Sequence, residues 1–245
     1  MGIQERKQRE REQRREMIIV AASKVFIEKG LGGTTMEEIA SRAELSKATL
    51  YLYFKNKEEL FLAVMIIVLD RFCDHMQQEM GSDKPVLQRM VTMGSNYLSF
   101  FYRYPEYFEM LNDMEPPDDF NFAQYEVSTD LVKANARIWE IICAPIIDGI
   151  KEGIFRSDTN PLEIGMMLWT SSTGIIKLME HVQKSPHHQC GLEGLEENSA
   201  MRLLEKLDFE GMLRRMWNAI TDSITTNQAI EVGKCKNSLF AQCFG

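Results

Sequence analysis

Ser46-Lys47-Ala48-Thr49-Leu50-Tyr51 is the stretch with the greatest chemical potential in this chain. Hydroxyls at Ser46, Thr49 and Tyr51 can donate to and accept from base edges or phosphate. Lys47 can reach guanine or phosphate, and the Ala48 methyl can touch a thymine methyl. The same residues could also form an ordinary solvated surface of a short helix. No arrangement of Ser, His and Asp, no Gly-rich phosphate loop and no HExxH occurs anywhere in the 245 residues. The sequence therefore points to a binding protein rather than an enzyme, with no cofactor expected.

The elements that must position these groups are marked by caps. Thr35 with Glu38 reads as a capping box for one helix, Ser46 as the N-cap of a second, and Asn56 with Glu59 as the start of a third. Caps at 35 and 46 force the middle helix to be short and hold it between neighbours. Upstream, Ile18, Ala22, Val25 and Phe26 share one helical face, with Gly30 suited to the C-terminal cap and Gly32-Gly33 to a turn. Leu50 and Phe54 are expected in the core. Residues 3–16 are polar or charged after Ile3, with opposite charges spaced i,i+4, so a solvated helical extension is expected. It either frays or brings a basic arm to phosphate or the minor groove.

Taken together, Met17 to Met65 resembles the N-terminal DNA-binding domain of the tetracycline-repressor (TetR) family of bacterial transcription regulators. The resemblance rests on Phe26 with Glu28-Lys29-Gly30, Thr34-Thr35 followed by Ile39-Ala40, and Ser46-Lys47-Ala48-Thr49-Leu50-Tyr51 with Tyr53-Phe54 and Asn56-Lys57. It implies contact with a pseudo-palindromic double-stranded DNA operator through Thr35, Ser46, Lys47, Ala48, Thr49, Tyr51, Tyr53 and Lys57. Thr35 and Lys57 would act as phosphate anchors at helix N-termini. One departure stands out: the family carries Gly in the turn before the middle helix, and this chain has Glu44. A non-Gly residue held at positive φ costs on the order of 1 kcal/mol.

Charge supports a division of labour. The net charge is −8, yet residues 1–63 carry 12 Lys and Arg against 10 Asp and Glu, while the remainder carries 16 against 26. A slightly basic head on an acidic body disfavours indiscriminate DNA binding. The expected organisation is a charged extension (1–16), a helix-turn-helix domain (17–63), a larger helical body (64–226) and a tail (227–245), all-α throughout. Helices are expected at about 57–80, 84–103, from Pro105 to before Glu115, 122–153 with Pro145 bending it, 161–182, from about Ser199, and 208–225, with a loop at 183–197. No run of ~18 uncharged apolar residues exists, and the N-terminus is charged rather than apolar, so a cytoplasmic protein without membrane span is expected.

The body is rich in Met, 16 in the whole chain, and in aromatics. Most must be core, but unbranched Met also shapes adaptable apolar cavities. The resemblance implies an effector pocket, assigned to Met65, Phe101, Tyr104, Trp139, Met166 and Trp169 and suited to a small hydrophobic or aromatic molecule. It also implies a homodimer. One stripe would be Leu168, Ser172, Ile175, Ile176 and Met179, the other Leu213, Met216, Trp217 and Ile220. The expected activity is a repressor released from its operator by the effector; the alternative is an effector-independent regulator, activating or architectural. His187-His188-Gln189-Cys190 superficially resembles a metal cluster but lacks the spacing of a zinc site. Five Cys at irregular spacing argue against a disulfide framework.

Overall fold

A computed structural model describes residues 2–113, 125, 128–184, 207–227 and 229. The expected helix start at Phe122, the His187–Cys190 cluster, the helix from Ser199, Cys235, Cys243 and most of the 227–245 tail lie outside the described residues. Nine α-helices occur among those described: α1 (Ile3–Gly33), α2 (Met36–Arg42), α3 (Lys47–Tyr51), α4 (Lys57–Met76), α5 (Val86–Arg103), α6 (Pro105–Asp113), α7 (Ser128–Lys151), α8 (Pro161–Lys184) and α9 (Phe209–Ile224). The only pairing of extended backbone among them is an isolated antiparallel bridge, Phe155 with Thr225. No described helix is long and apolar enough to cross a membrane.

The chain divides into two compact units, one of residues 1–78 with 96–141, the other of 79–95 with 142–245. In the first, α1 packs on α4, α2 and α6, and α2 packs on α3. Its core is built by the face expected from the sequence: Ile18, Ala22, Val25 and Phe26 are buried, with Ile39, Leu50, Phe54, Leu60 and Phe61. Phe26 and Phe61 meet edge to face, ring centroids 5.4 Å apart. The boundary expected at 63/64 falls in the middle of α4, which runs unbroken to Met76 and ends four residues before the expected Met80. The extension is helical from Ile3 and continuous with α1.

Glycine and its substitutes set the turns. At Gly30 (φ 66°, ψ 174°) the helical backbone of α1 is interrupted, but the helix resumes through Gly32 and Gly33, where a turn is expected from the sequence, and its C-cap is Thr34. After α2 the Leu45 N–H bonds the Ala40 carbonyl at 2.9 Å and the Glu44 N–H bonds Ser41 at 3.1 Å, a Schellman closure. Its left-handed residue is Glu44, φ 56°. The same closure ends α7, where Ile154 bonds Gly149 at 2.9 Å and the left-handed residue is Gly153, φ 70°. One motif thus occurs twice, once with the residue it favours and once without. Glu44→Gly should remove about 1–2 kcal/mol of left-handed strain and lose roughly 0.5–1 kcal/mol to chain entropy. A net gain should appear as a higher melting temperature; a lower one would show that Glu44 carries less strain than the chain entropy that Gly costs.

In the second unit α8 packs on α9. The Trp217 indole N–H donates to Ser172 Oγ at 3.0 Å in a buried bond that pins the two helices. Asp208 caps α9 through the Gly211 N–H at 2.8 Å. Arg89 donates to Asp148 at 2.7 Å, and that bond holds the Asp148 carboxyl below its ordinary range.

Candidate nucleic-acid interface

The three caps are formed as the sequence implied. The Thr35 side chain accepts from the Glu38 N–H, and the Glu38 carboxylate accepts from the Thr35 N–H at 3.1 Å. Ser46 Oγ accepts from the Thr49 N–H at 3.1 Å and lies 2.8 Å from Thr49 Oγ1. Asn56 Oδ1 accepts from the Glu59 N–H at 2.8 Å. Because Ser46 closes the first turn of α3 and Leu50 locks its inner face at 0% exposure, the outer face has little freedom to move. Ser46, Lys47, Ala48 and Tyr51 are exposed there, Thr49 is half-buried beside them, and Tyr53 is half-buried against the core.

Residues that carry the family resemblance through their spacing turn out to be the frame of this site. Arg42 grips the Glu28 carboxylate with both terminal nitrogens, at 2.9 and 2.7 Å, tying α2 to α1. That hydrogen bonding holds the Glu28 carboxyl below its usual range. Lys29 pairs with Glu38, the same carboxylate that closes the α2 cap. Thr34 is buried and donates to the Gly30 carbonyl at 2.6 Å. A bidentate Arg–carboxylate pair fixes orientation as well as distance. The pairs therefore hold α2, and with it the turn into α3, at a set angle to α1.

Two sequence expectations change. Lys57 is not presented as a free phosphate anchor: its ammonium donates to the carbonyls of Leu31 at 2.9 Å and Thr34 at 3.1 Å, with Gly32 at 3.4 Å. Those carbonyls follow the break at Gly30, in the last turn of α1 and at its Thr34 cap, so Lys57 fastens α4 to the turn after α1. Lys47 is paired with Glu37, and its ammonium lies 5.9 Å from the Tyr51 ring centroid. It can reach a base only by exchanging that carboxylate, an exposed pair of small net worth. One apolar residue is absent from the sequence expectations. Leu52, the C-cap of α3, is 75% exposed, two residues after the buried Leu50 that the sequence places in the core.

The residues assigned to a pocket and a dimer face fall as follows. Met65 is half-buried against the core around α1 and α4. Phe101 and Tyr104 sit in an aromatic cluster, Phe101 on Phe108 at 5.2 Å and Tyr104 on Phe100 at 5.3 Å. Trp139 belongs to the first compact unit; Met166 and Trp169 belong to the second, where Met166 is 46% exposed. In the first unit a groove of about 320 Å³ opens among α1, α4 and α6, walled by Ile19, Val20, Val64 and Val68. Leu168, Ser172, Ile176, Met179, Leu213 and Trp217 are buried within the chain, so they cannot also cover a second copy. Ile175, Met216 and Ile220 are half-buried. The outward stripe of α8 is Leu162, Met166, Met167 and Leu178, each 40–46% exposed. Among the described residues no group of His, Cys, Asp and Glu is placed to hold a metal ion.

Residues 18–64 match the family described as bacterial regulatory proteins, tetR family. The transcriptional activator FasR of Mycolicibacterium smegmatis is 38% identical over 80 residues, 33% of this chain and 36% of that protein. The chain thus matches little more than a third of that relative's length. Among solved structures, FadR of Bacillus subtilis in complex with stearoyl-CoA superposes with a TM-score of 0.60 at 15% identity, over 85% of this chain and 98% of that one. The fatty acid degradation regulator FadR of Bacillus halodurans gives 0.60 at 14% identity, over 84% and 97%. The likeness of fold therefore runs well beyond the N-terminal helices.

Proposed function

This chain belongs to the tetR family of bacterial regulatory proteins through its N-terminal domain, and from that premise we propose that it is a sequence-specific, DNA-binding regulator of transcription, a repressor that a hydrophobic effector releases. The carrying observation is the exposed first turn of α3, held between two caps and braced by Glu28–Arg42. Helix-turn-helix proteins place that turn against base edges in the major groove. Ser46, Thr49 and Tyr51 read or clamp the duplex, Ala48 meets a thymine methyl, and Lys47 leaves Glu37 for the DNA.

Two copies are required, because half-sites lie one helical turn, ~34 Å, apart and mirror a two-fold axis. The exposed α8 stripe of Leu162, Met166, Met167 and Leu178 supports this reading as the surface a second copy covers. Sedimentation should give a dimer at micromolar concentration; a monomer there would remove the two-fold reading of the operator. The protein acts in the cytoplasm, where its DNA lies.

For the effector, the fold likeness to a FadR solved with stearoyl-CoA makes long-chain acyl-CoA the first compound to try. An effector can release DNA only through different affinity for the two states, typically a coupling of about 1–3 kcal/mol. Anisotropy of a labelled duplex should therefore show acyl-CoA weakening binding roughly 5- to 150-fold. If neither acyl-CoA nor a panel of apolar and aromatic compounds changes affinity, the effector-independent regulator is the correct reading.

A further inference from the structure

The first fourteen residues of α1 form a helical continuation whose charges are sorted by face. At ~100° per residue, Lys7, Arg11, Arg14 and Arg15 fall within about 100° of arc, while Glu5, Glu12 and Glu16 occupy about 40° on the other side. Arg6 is taken up by Glu10 at 2.8 Å on the flank, and Arg9 lies among the carboxylates. The backbone of the segment is stabilised locally: the Gly2 N–H bonds Glu5 at 3.0 Å, and Gln8 bonds Glu12 at 2.8 Å. Residues 4–16 are all exposed, so burial does not explain their helicity, and sorting of the charges is unnecessary for solubility.

The orientation of the basic face is fixed by the rest of α1. The arc that carries Lys7, Arg11 and Arg14 is continued C-terminally by Ile18, Ala22 and Val25, the buried face of the helix. The root of the arm is held where the Arg15 guanidinium stacks over the Phe54 ring, 5.2 Å from its centroid. Phe54 lies just beyond α3, three residues after Tyr51. The cationic face thus leaves the domain beside the C-terminal end of α3, with the acidic face turned away.

We propose that this helical arm is a second DNA contact, a rail on which Lys7, Arg11 and Arg14 meet backbone phosphates flanking the bases that α3 reads. The inference rests on the reading of the protein as a DNA binder. Lys7 to Arg14 spans about 10 Å of helix axis, and phosphates of one strand recur every ~3.4 Å along the duplex. Three cations over that length match about three phosphates. Such contacts add affinity and register without reading sequence.

The test is the salt dependence of binding to a duplex selected from a random library. Removing one cation from a phosphate makes the slope of log K against log salt shallower by about 0.9. The variant K7Q/R11Q/R14Q should bind the same sequence with a slope shallower by about 2–3 for each protomer on the duplex. The variant E5Q/E12Q, which disturbs the same helix on its other face, should show no shallowing. An unchanged slope in the triple variant overturns the rail while leaving α3 as the reader of DNA. Equal shallowing in both variants also overturns it, since unravelling of the arm rather than removal of its cations would be the cause. If the parent protein binds no duplex, the reading of the protein as a DNA binder falls first.

Discussion

Ala48→Glu should abolish specific DNA binding and leave the fold untouched. Ala48 is exposed in the first turn of α3, between the Ser46 cap and the buried Leu50. The new carboxylate stands near a helix N-terminus, where negative charge is favourable by about 0.3–1 kcal/mol. The melting temperature should therefore move by no more than ~4 °C. Against DNA the same charge is carried among phosphates and base acceptors. Like-charge juxtaposition at an interface costs several kcal/mol, and about 3 kcal/mol already means more than a hundredfold. Ala48→Ser is the matching control and should retain binding within about tenfold, because it adds a group able to donate to either base edge or phosphate. Undiminished binding by the Glu variant would move the reading surface away from α3.

Phe26→Ala should do the reverse. Phe26 is fully buried and packs edge to face on Phe61, joining α1 to α4. Truncating a buried Phe costs about 3–5 kcal/mol, set against a total stability of roughly 5–15 kcal/mol for a folded domain. Melting temperature should fall by ~10 °C or more. Below the transition the folded fraction should still bind DNA with little change in affinity, since Phe26 lies in the core and Ser46, Lys47, Ala48 and Tyr51 are exposed. A variant that stays folded but no longer binds would mean that the α1–α4 joint sets the interface more directly than the caps do. The pair of variants separates the reading surface from its scaffold.

These features are legible in the sequence to different degrees, and range explains the difference. Thr35, Ser46, Asn56 and Asp208 bond groups three residues away, so their residue types announce the helix starts. Pro105 and Pro161 open α6 and α8 for the same local reason. Glu44 is legible as an anomaly because the turn it occupies has a known preference, and its φ of 56° shows the anomaly to be real. The role of Lys57 is hidden because its partners lie 23–26 residues upstream, on carbonyls that no side-chain pattern reveals. The α8 stripe is hidden because this helix is apolar on two sides. Periodicity finds Leu168, Ser172 and Ile176 as a face, but only the packing of Trp217 on Ser172 shows that α9 takes it and leaves Met166 and Leu178 outside. The pairs Glu28–Arg42 and Lys29–Glu38 give Glu28-Lys29-Gly30 a structural role: its two charged residues fasten α2 to α1.

The central claim is that α3 reads a defined DNA sequence from a two-fold dimer. Repeated selection of the purified protein on a random duplex library tests it most directly. One pseudo-palindromic sequence should be enriched, its half-sites about one helical turn, ~34 Å, apart, and that enrichment should be lost in Ala48→Glu. A library that returns with no sequence enriched, or enrichment that survives intact in Ala48→Glu, would contradict it.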